Sequence, residues 1–172
     1  MLSAVIIVIG IAIDQITKIA IINWLSPLPS KTYTVIDGVL SFSYCKNTGI
    51  SFSFLDNIPT VLLVVLILMI LIGTIICLIK FKKEGRLFSI GLAFIISGAV
   101  GNLLDRIFRI IELDGVSKGY VVDFIRFDFM TFPVFNFADI CITTGTCLLI
   151  IYGIIEMKKE FKKKKLLKQN GK

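Results

Sequence analysis

The 172-residue chain is 56% hydrophobic and 18% charged, and it carries a formal net charge of +7. That apolar share exceeds the roughly 45–50% of soluble domains. It is gathered into four stretches each long enough to cross a bilayer, which predicts an integral-membrane protein with little chain left for a separate soluble domain.

The positive charge lies beside the spans and is not interleaved with aromatics, so nucleic acid is not an expected partner. Eight of the 19 basic residues crowd into Lys158–Lys172, and Lys80, Lys82, Lys83 and Arg86 flank one short loop. The chain has no histidine, which excludes Ser-His-Asp and Cys-His catalysis, HExxH zinc sites and histidine proton shuttles. Cys45, Cys77, Cys141 and Cys147 form no CxxC pair, and three of them fall in apolar spans, where a free cysteine acts as a small hydrophobe. No metal, cofactor or structural disulfide is expected.

The first span covers about Leu2–Asn23. It lacks the positive n-region and small-residue cleavage site of a secretory signal peptide, so it reads as a retained helix. Asp14 and Lys18, four residues apart, share one of its faces. They are either an ion pair that makes both charges tolerable or polar groups facing a protein interior. Pro27 and Pro29 stop the helix. Residues 33–54, rich in β-branched and aromatic types, predict a small sheet at the membrane surface, with strands across Val39–Phe54 and a turn at Asn47-Thr48-Gly49. Turn chemistry alone would account for Asn47 and Gly49.

The second span, Thr60–Ile79, carries no charge and predicts a lipid-facing support helix. The third runs from about Leu87 to Phe108. Gly91, Gly98 and Gly101 predict a close helix-packing seam, which does not explain why Asn102, Asp105 and Arg106 arrive together at its far end. A polar run, ELDGVSKG, leads into GYVVDFIRFDF, of which Tyr120–Phe124 predicts extended backbone. Phe132-Pro133 opens the fourth span, Val134–Ile155, with Asp139, Thr143 and Cys147 on one face. A lysine-rich tail, residues 158–172, follows the single membrane domain of residues 1–157 as a solvated anchor.

Both basic clusters mark one side as cytoplasmic, and four spans put the N-terminus there too. The segments 24–59 and 109–133 then face outward. At about 1.5 Å of rise per residue, Asp105 lies near the outer end of the third span and Asp139 about one and a half turns inside the fourth. Asp123 precedes the fourth span on the outward linker. Separate segments thus bring their polar groups to one depth.

A carboxylate in apolar surroundings is costly unless paired, hydrogen-bonded or protonated. Asp123 and Asp139 lie in such surroundings, with Asn136 three residues before Asp139. Two carboxylates at close range share one proton, so one can activate water while the other protonates a carbonyl or leaving amine. Peptide hydrolysis by water is the chemistry most natural to that pair. Composition alone does not choose among Asp14, Asp105, Asp123, Asp128 and Asp139.

Five stretches narrow the choice: DQITK (14–18), NTGISF (47–52), GAVGNLLDR (98–106), VVDF (121–124) and FNFAD (135–139). In this order on four spans, the chain resembles the bacterial lipoprotein signal peptidases (signal peptidase II), a family of intramembrane aspartic proteases. The resemblance implies that Asp123 and Asp139 are the catalytic dyad. It implies that Asp14, Lys18, Asn47, Gly49, Gly98, Gly101, Asn102, Asp105, Arg106 and Asn136 shape the site or hold the substrate backbone. The implied substrate is a prolipoprotein whose cysteine carries diacylglycerol, cleaved before that cysteine near the outer face of the cytoplasmic membrane. Beyond substrate and membrane lipid, a monomer is expected, and sensitivity to the cyclic peptide globomycin is implied. Ser51 stands where the family usually has Ala, Ser97 where Gly is common, and the connection from Arg106 to Val121 is longer than usual. Two other readings are a Ser/Lys hydrolase using Ser51 or Ser53 with Lys18, and a proton-coupled transporter using the buried acids as a relay.

Overall fold

The structure is a computed structural model, and it describes residues 1–49, 60–113 and 115–170. Helix α1 (Leu2–Leu25) leads into strands β1 (Thr32–Ile36) and β2 (Leu40–Asn47), and these are followed by α2 (Thr60–Lys80). After a short 3-10 turn at Lys82–Glu84 come α3 (Arg86–Phe108), β3 (Ile110–Leu113), β4 (Val116–Gly119), β5 (Val121–Phe127) and α4 (Phe137–Asn170). All four α-helices are long and apolar enough to cross a membrane.

The central helix is α3, which contacts each of the other three. Its small residues allow this. A Cβ on Gly98 would collide with the carbonyl of Ala138 on α4, and one on Gly101 with the carboxylate of Asp14 on α1. Gly91 and Gly145 put the α3 and α4 backbones against each other. The packing seam expected on the third span is present, and it positions the polar end of that helix against two neighbours. The second span behaves as expected for a lipid-facing helix, burying only Leu63 and Leu71.

The expected sheet is also present. The three-stranded antiparallel sheet has the order β1-β2-β5. The hairpin turn between β1 and β2 falls at Asp37-Gly38, with Gly38 at φ 67, while at the expected Asn47-Thr48-Gly49 turn β2 ends and the Gly49 N–H bonds the Asn47 side chain. A glycine tolerates that left-handed conformation without steric cost, and Asp-Gly is a favoured hairpin pair. The second edge of β2 is taken by β5, in a register that places Cys45 opposite Asp123 and Asn47 opposite Val121. The expected strand beyond Gly49 lies outside the described residues. Beneath the sheet, Leu25 and Ile21 of α1 pack with Tyr44, Val122 and Phe124.

The linker after α3 carries a second hairpin that the sequence reading did not include, in which Ile110–Leu113 and Val116–Gly119 pair around Gly115 at φ 75. One expectation about the later chain is corrected. The fourth helix begins at Phe137, three residues later than expected, because Phe135 is still engaged with β5. Its N–H donates to the Ile125 carbonyl at 3.0 Å, and its own carbonyl accepts from the Phe124 and Ile125 N–H groups. Helix α4 then continues through the lysine-rich segment to Asn170. Its 34 residues span about 50 Å, more than the roughly 30 Å of bilayer hydrocarbon.

Candidate active site

The anchoring of Phe135 to β5 fixes where α4 starts, and so where Asp139 sits. Asn136 is the N-cap of α4 and Asp139 its third residue. The Asn136 side-chain oxygen accepts the Asp139 N–H at 3.1 Å, and Asp139 Oδ2 accepts the Asn136 N–H at 3.0 Å. This reciprocal pair is a capping box, with Asn and Asp in place of the usual Ser/Thr and Glu. It holds the Asp139 carboxylate over the open end of the helix.

The Asn136 amide then reaches across to Asp123, donating to its Oδ1 at 2.6 Å. Asn47 on the neighbouring strand donates to Asp123 Oδ2 at 2.8 Å. The Asn47 carbonyl oxygen in turn accepts the Gly49 N–H at 3.0 Å. On the far side Asn102 donates to Asp139 Oδ1 at 3.0 Å. Asn136 therefore bridges the two acids. Burial pushes the Asp123 carboxyl up from 3.8 to about 6. The Asp139 charge adds to that rise, and the amides of Asn47 and Asn136 oppose it.

A second layer supports the first. Lys18, fully buried, places its ammonium 2.9 Å from Asp14, 3.0 Å from Asp105 and 3.0 Å from the Asn102 carbonyl oxygen. All three N–H groups have an acceptor, as a buried ammonium requires. Asp14 also accepts the Ala138 N–H at 3.0 Å, and Asp105 the Val122 N–H at 3.0 Å. The ion pair of the first helix thus grips the chain next to each acid: Ala138 precedes Asp139, and Val122 precedes Asp123. Both readings open for Asp14 and Lys18 are present: the two form an ion pair, and both face the protein interior.

Asn47, Gly49, Asn102, Arg106, Asp123 and Asp139 line one cavity of about 320 Å³, walled otherwise by Ile67, Ile70, Ile95, Ala99, Val121 and Ile142. Arg106 donates to the Gly49 and Asn102 carbonyls at 3.1 and 3.3 Å. Its buried Nε–H has no partner among the described residues. Gly98 and Gly101 serve as packing positions and do not line this cavity. Thr143 and Cys147, expected on the face of Asp139, are exposed on α4, whose buried side is Ala138, Cys141 and Gly145. Asp128 is at the surface, where Ser41 and then Arg126 hold its carboxyl below the usual range. Ser51 and Ser53 lie outside the described residues. The Lys18 side chain is itself engaged by Asp14, Asp105 and Asn102.

Two members of the network are absent from the sequence reading. Gln15 donates to Asp14 at 3.0 Å, to the Gly101 carbonyl at 3.1 Å and to Asp105 at 3.2 Å. Arg109 pairs with Asp105 at 3.0 Å. The Arg109 signal was available, since it follows Asp105 by four residues. Gln15 gave only its adjacency to Asp14.

The family model described as Signal peptidase (SPase) II matches residues 6–155. A curated lipoprotein signal peptidase from Clostridium novyi is 39% identical over 160 residues, covering 91% of this chain and 100% of that protein. One from Enterococcus faecalis is 34% identical over 148 residues, covering 86% and 84%. A solved structure described as a bacterial membrane enzyme superposes with a TM-score of 0.78 at 27% identity, covering 91% of this chain and 90% of that one.

Proposed function

The chain belongs to the signal peptidase II family, multi-pass membrane peptidases of lipoprotein processing, and we propose that it cleaves by water activated between Asp123 and Asp139. The observation carrying this reading is that two acids from separate elements, Asp123 buried and Asp139 half-buried, line one cavity and are bridged by Asn136. With one proton between them, one carboxylate removes a proton from the attacking water while the other protonates the carbonyl oxygen, and later the leaving amine. No covalent enzyme intermediate forms. The buried Lys18–Asp14–Asp105 cluster and the amides of Asn47, Asn102 and Asn136 are positioning residues that fix the two carboxylates. Arg106 holds the substrate backbone.

The substrate is a diacylglyceryl-modified prolipoprotein cut immediately before its lipidated cysteine. A monomer lies in the cytoplasmic membrane with both termini inside, and the sheet and dyad are near the outer face. The basic loop at Lys80–Arg86 and the lysine-rich end of α4 support that orientation.

The substrate assignment is tested by incubating purified protein in nanodiscs with one precursor peptide, with and without diacylglycerol on its cysteine, and weighing the products. Cleavage of the lipidated form alone is expected, releasing a fragment that begins at the modified cysteine. Equal cleavage of both forms, or a cut elsewhere, would overturn it.

A further inference from the structure

Asp139 borders a second cavity, of about 410 Å³, on the exposed flank of α4. Phe127, Phe132 and Ile140 form much of its wall, and Thr143 and Thr144 supply hydroxyls. We propose that this groove receives the diacylglyceryl group of the substrate cysteine, with the hydroxyls of Thr143 and Thr144 donating to its ester carbonyls. The proposal rests on the peptidase reading above.

Three observations carry it. The site has two compartments that share one carboxylate, and such a substrate has two apolar limbs that meet at the scissile bond. The cavity holding Asn47, Asn102 and Arg106 offers amide and guanidinium groups suited to an extended peptide backbone. The second groove offers hydroxyls in an aromatic and aliphatic wall, suited to esters between alkyl chains.

The hydroxyls themselves are the second observation. In an apolar medium a helical threonine returns its hydroxyl to the carbonyl one turn back, because no water is present to satisfy it. Thr17, Thr74 and Thr146 do this, donating to Ile13, Ile70 and Ile142 at 2.8, 2.7 and 2.8 Å. Among the described residues, Thr143 and Thr144 make no such bond, and both border the groove.

Reach is the third. Thr143 follows Asp139 by four residues, about 6 Å along the helix axis. The glyceryl ester carbonyls lie a few bonds beyond the cysteine sulfur, a comparable distance from the bond to be cut.

The test compares two precursor peptides that differ only in the cysteine lipid, a diacylglyceryl ester and its dialkyl ether, which lacks the carbonyl acceptors. Wild-type enzyme is expected to favour the ester in kcat/KM by on the order of tenfold, from two ordinary hydrogen bonds. In the Thr143→Val/Thr144→Val double variant that ratio should fall to about unity through KM, and Thr143→Ser should restore part of it. An unchanged ratio in the double variant, or no preference in the wild type, would overturn the proposal. An enzyme that cleaves neither lipidated peptide contradicts the peptidase reading itself, whereas cleavage without ester preference contradicts only the groove assignment.

Discussion

Asp123 is 3% exposed and holds its proton up to about pH 6, while in an unfolded chain the same carboxyl releases it near 3.8. Between those values the folded protein binds more protons than the unfolded one, so this group lowers stability as pH rises through that window and adds no further change above it. Asp123→Asn removes the titration. The melting temperature of the variant relative to wild type should therefore climb from about pH 4 to about pH 6 and then level off, as read by thermal melts in detergent. Parallel curves would show that Asp123 is not perturbed. The instability is local to the group that the proposed mechanism requires to exchange a proton, a combination expected of an acid-base residue.

Identity was legible at this scale, and coupling was not. The sequence marks Asp14, Lys18, Asn102, Asp105 and Asn136 as polar residues in apolar surroundings. It does not say that Lys18 unites three of them, because those contacts join segments far apart in the chain. The Asn136–Asp139 spacing did carry a readable signal, since three residues is the capping-box interval.

Among the elements, the α3–α4 seam positions the site most directly. A Cβ at Gly98 would strike the Ala138 carbonyl, a backbone atom, and also Ile142. Ala138 adjoins Asp139, so relief of that clash shifts the first turn of α4 and its carboxylate. Gly98→Ala should cost about 1–3 kcal/mol of stability and reduce cleavage. Gly73→Ala on α2 meets nothing within 4 Å and should stay within about 1 kcal/mol of wild type. Equal melting temperatures and activities for the two variants would contradict the seam's positioning role. The helices were predictable because apolar runs of this length have one solution in a bilayer. The partner of β2 was not, since β5 follows two intervening helices, and strand composition carries no information about pairing over such a separation. The β3–β4 hairpin was hidden by its polar turn sequence, which reads equally well as a loop.

As a whole, the molecule concentrates polar groups at one end of a largely apolar bundle. Helix α1 brings Asp14, Gln15 and Lys18; α3 brings Asn102, Asp105 and Arg106; β2 brings Asn47; β5 brings Asp123; and α4 brings Asp139. Helix α2 adds only the apolar wall of Ile67 and Ile70. Each acid is held by at least two donors, so a water and a peptide entering the cavity would meet carboxylates already oriented. The common depth of these residues could be read from the basic clusters that set the topology together with helical rise. Their convergence on one cavity depended on glycines whose packing partners the sequence does not name.

The central claim, that Asp123 and Asp139 together hydrolyse the substrate, is tested most directly by replacing each in turn with Asn, which keeps size and removes the acid-base cycle. Purified Asp123→Asn and Asp139→Asn proteins, each folded by its melting curve, are compared with wild type on a diacylglyceryl precursor in a gel-shift time course. A loss of at least about a hundredfold is predicted for both. Near-wild-type cleavage by either folded variant would contradict the assignment.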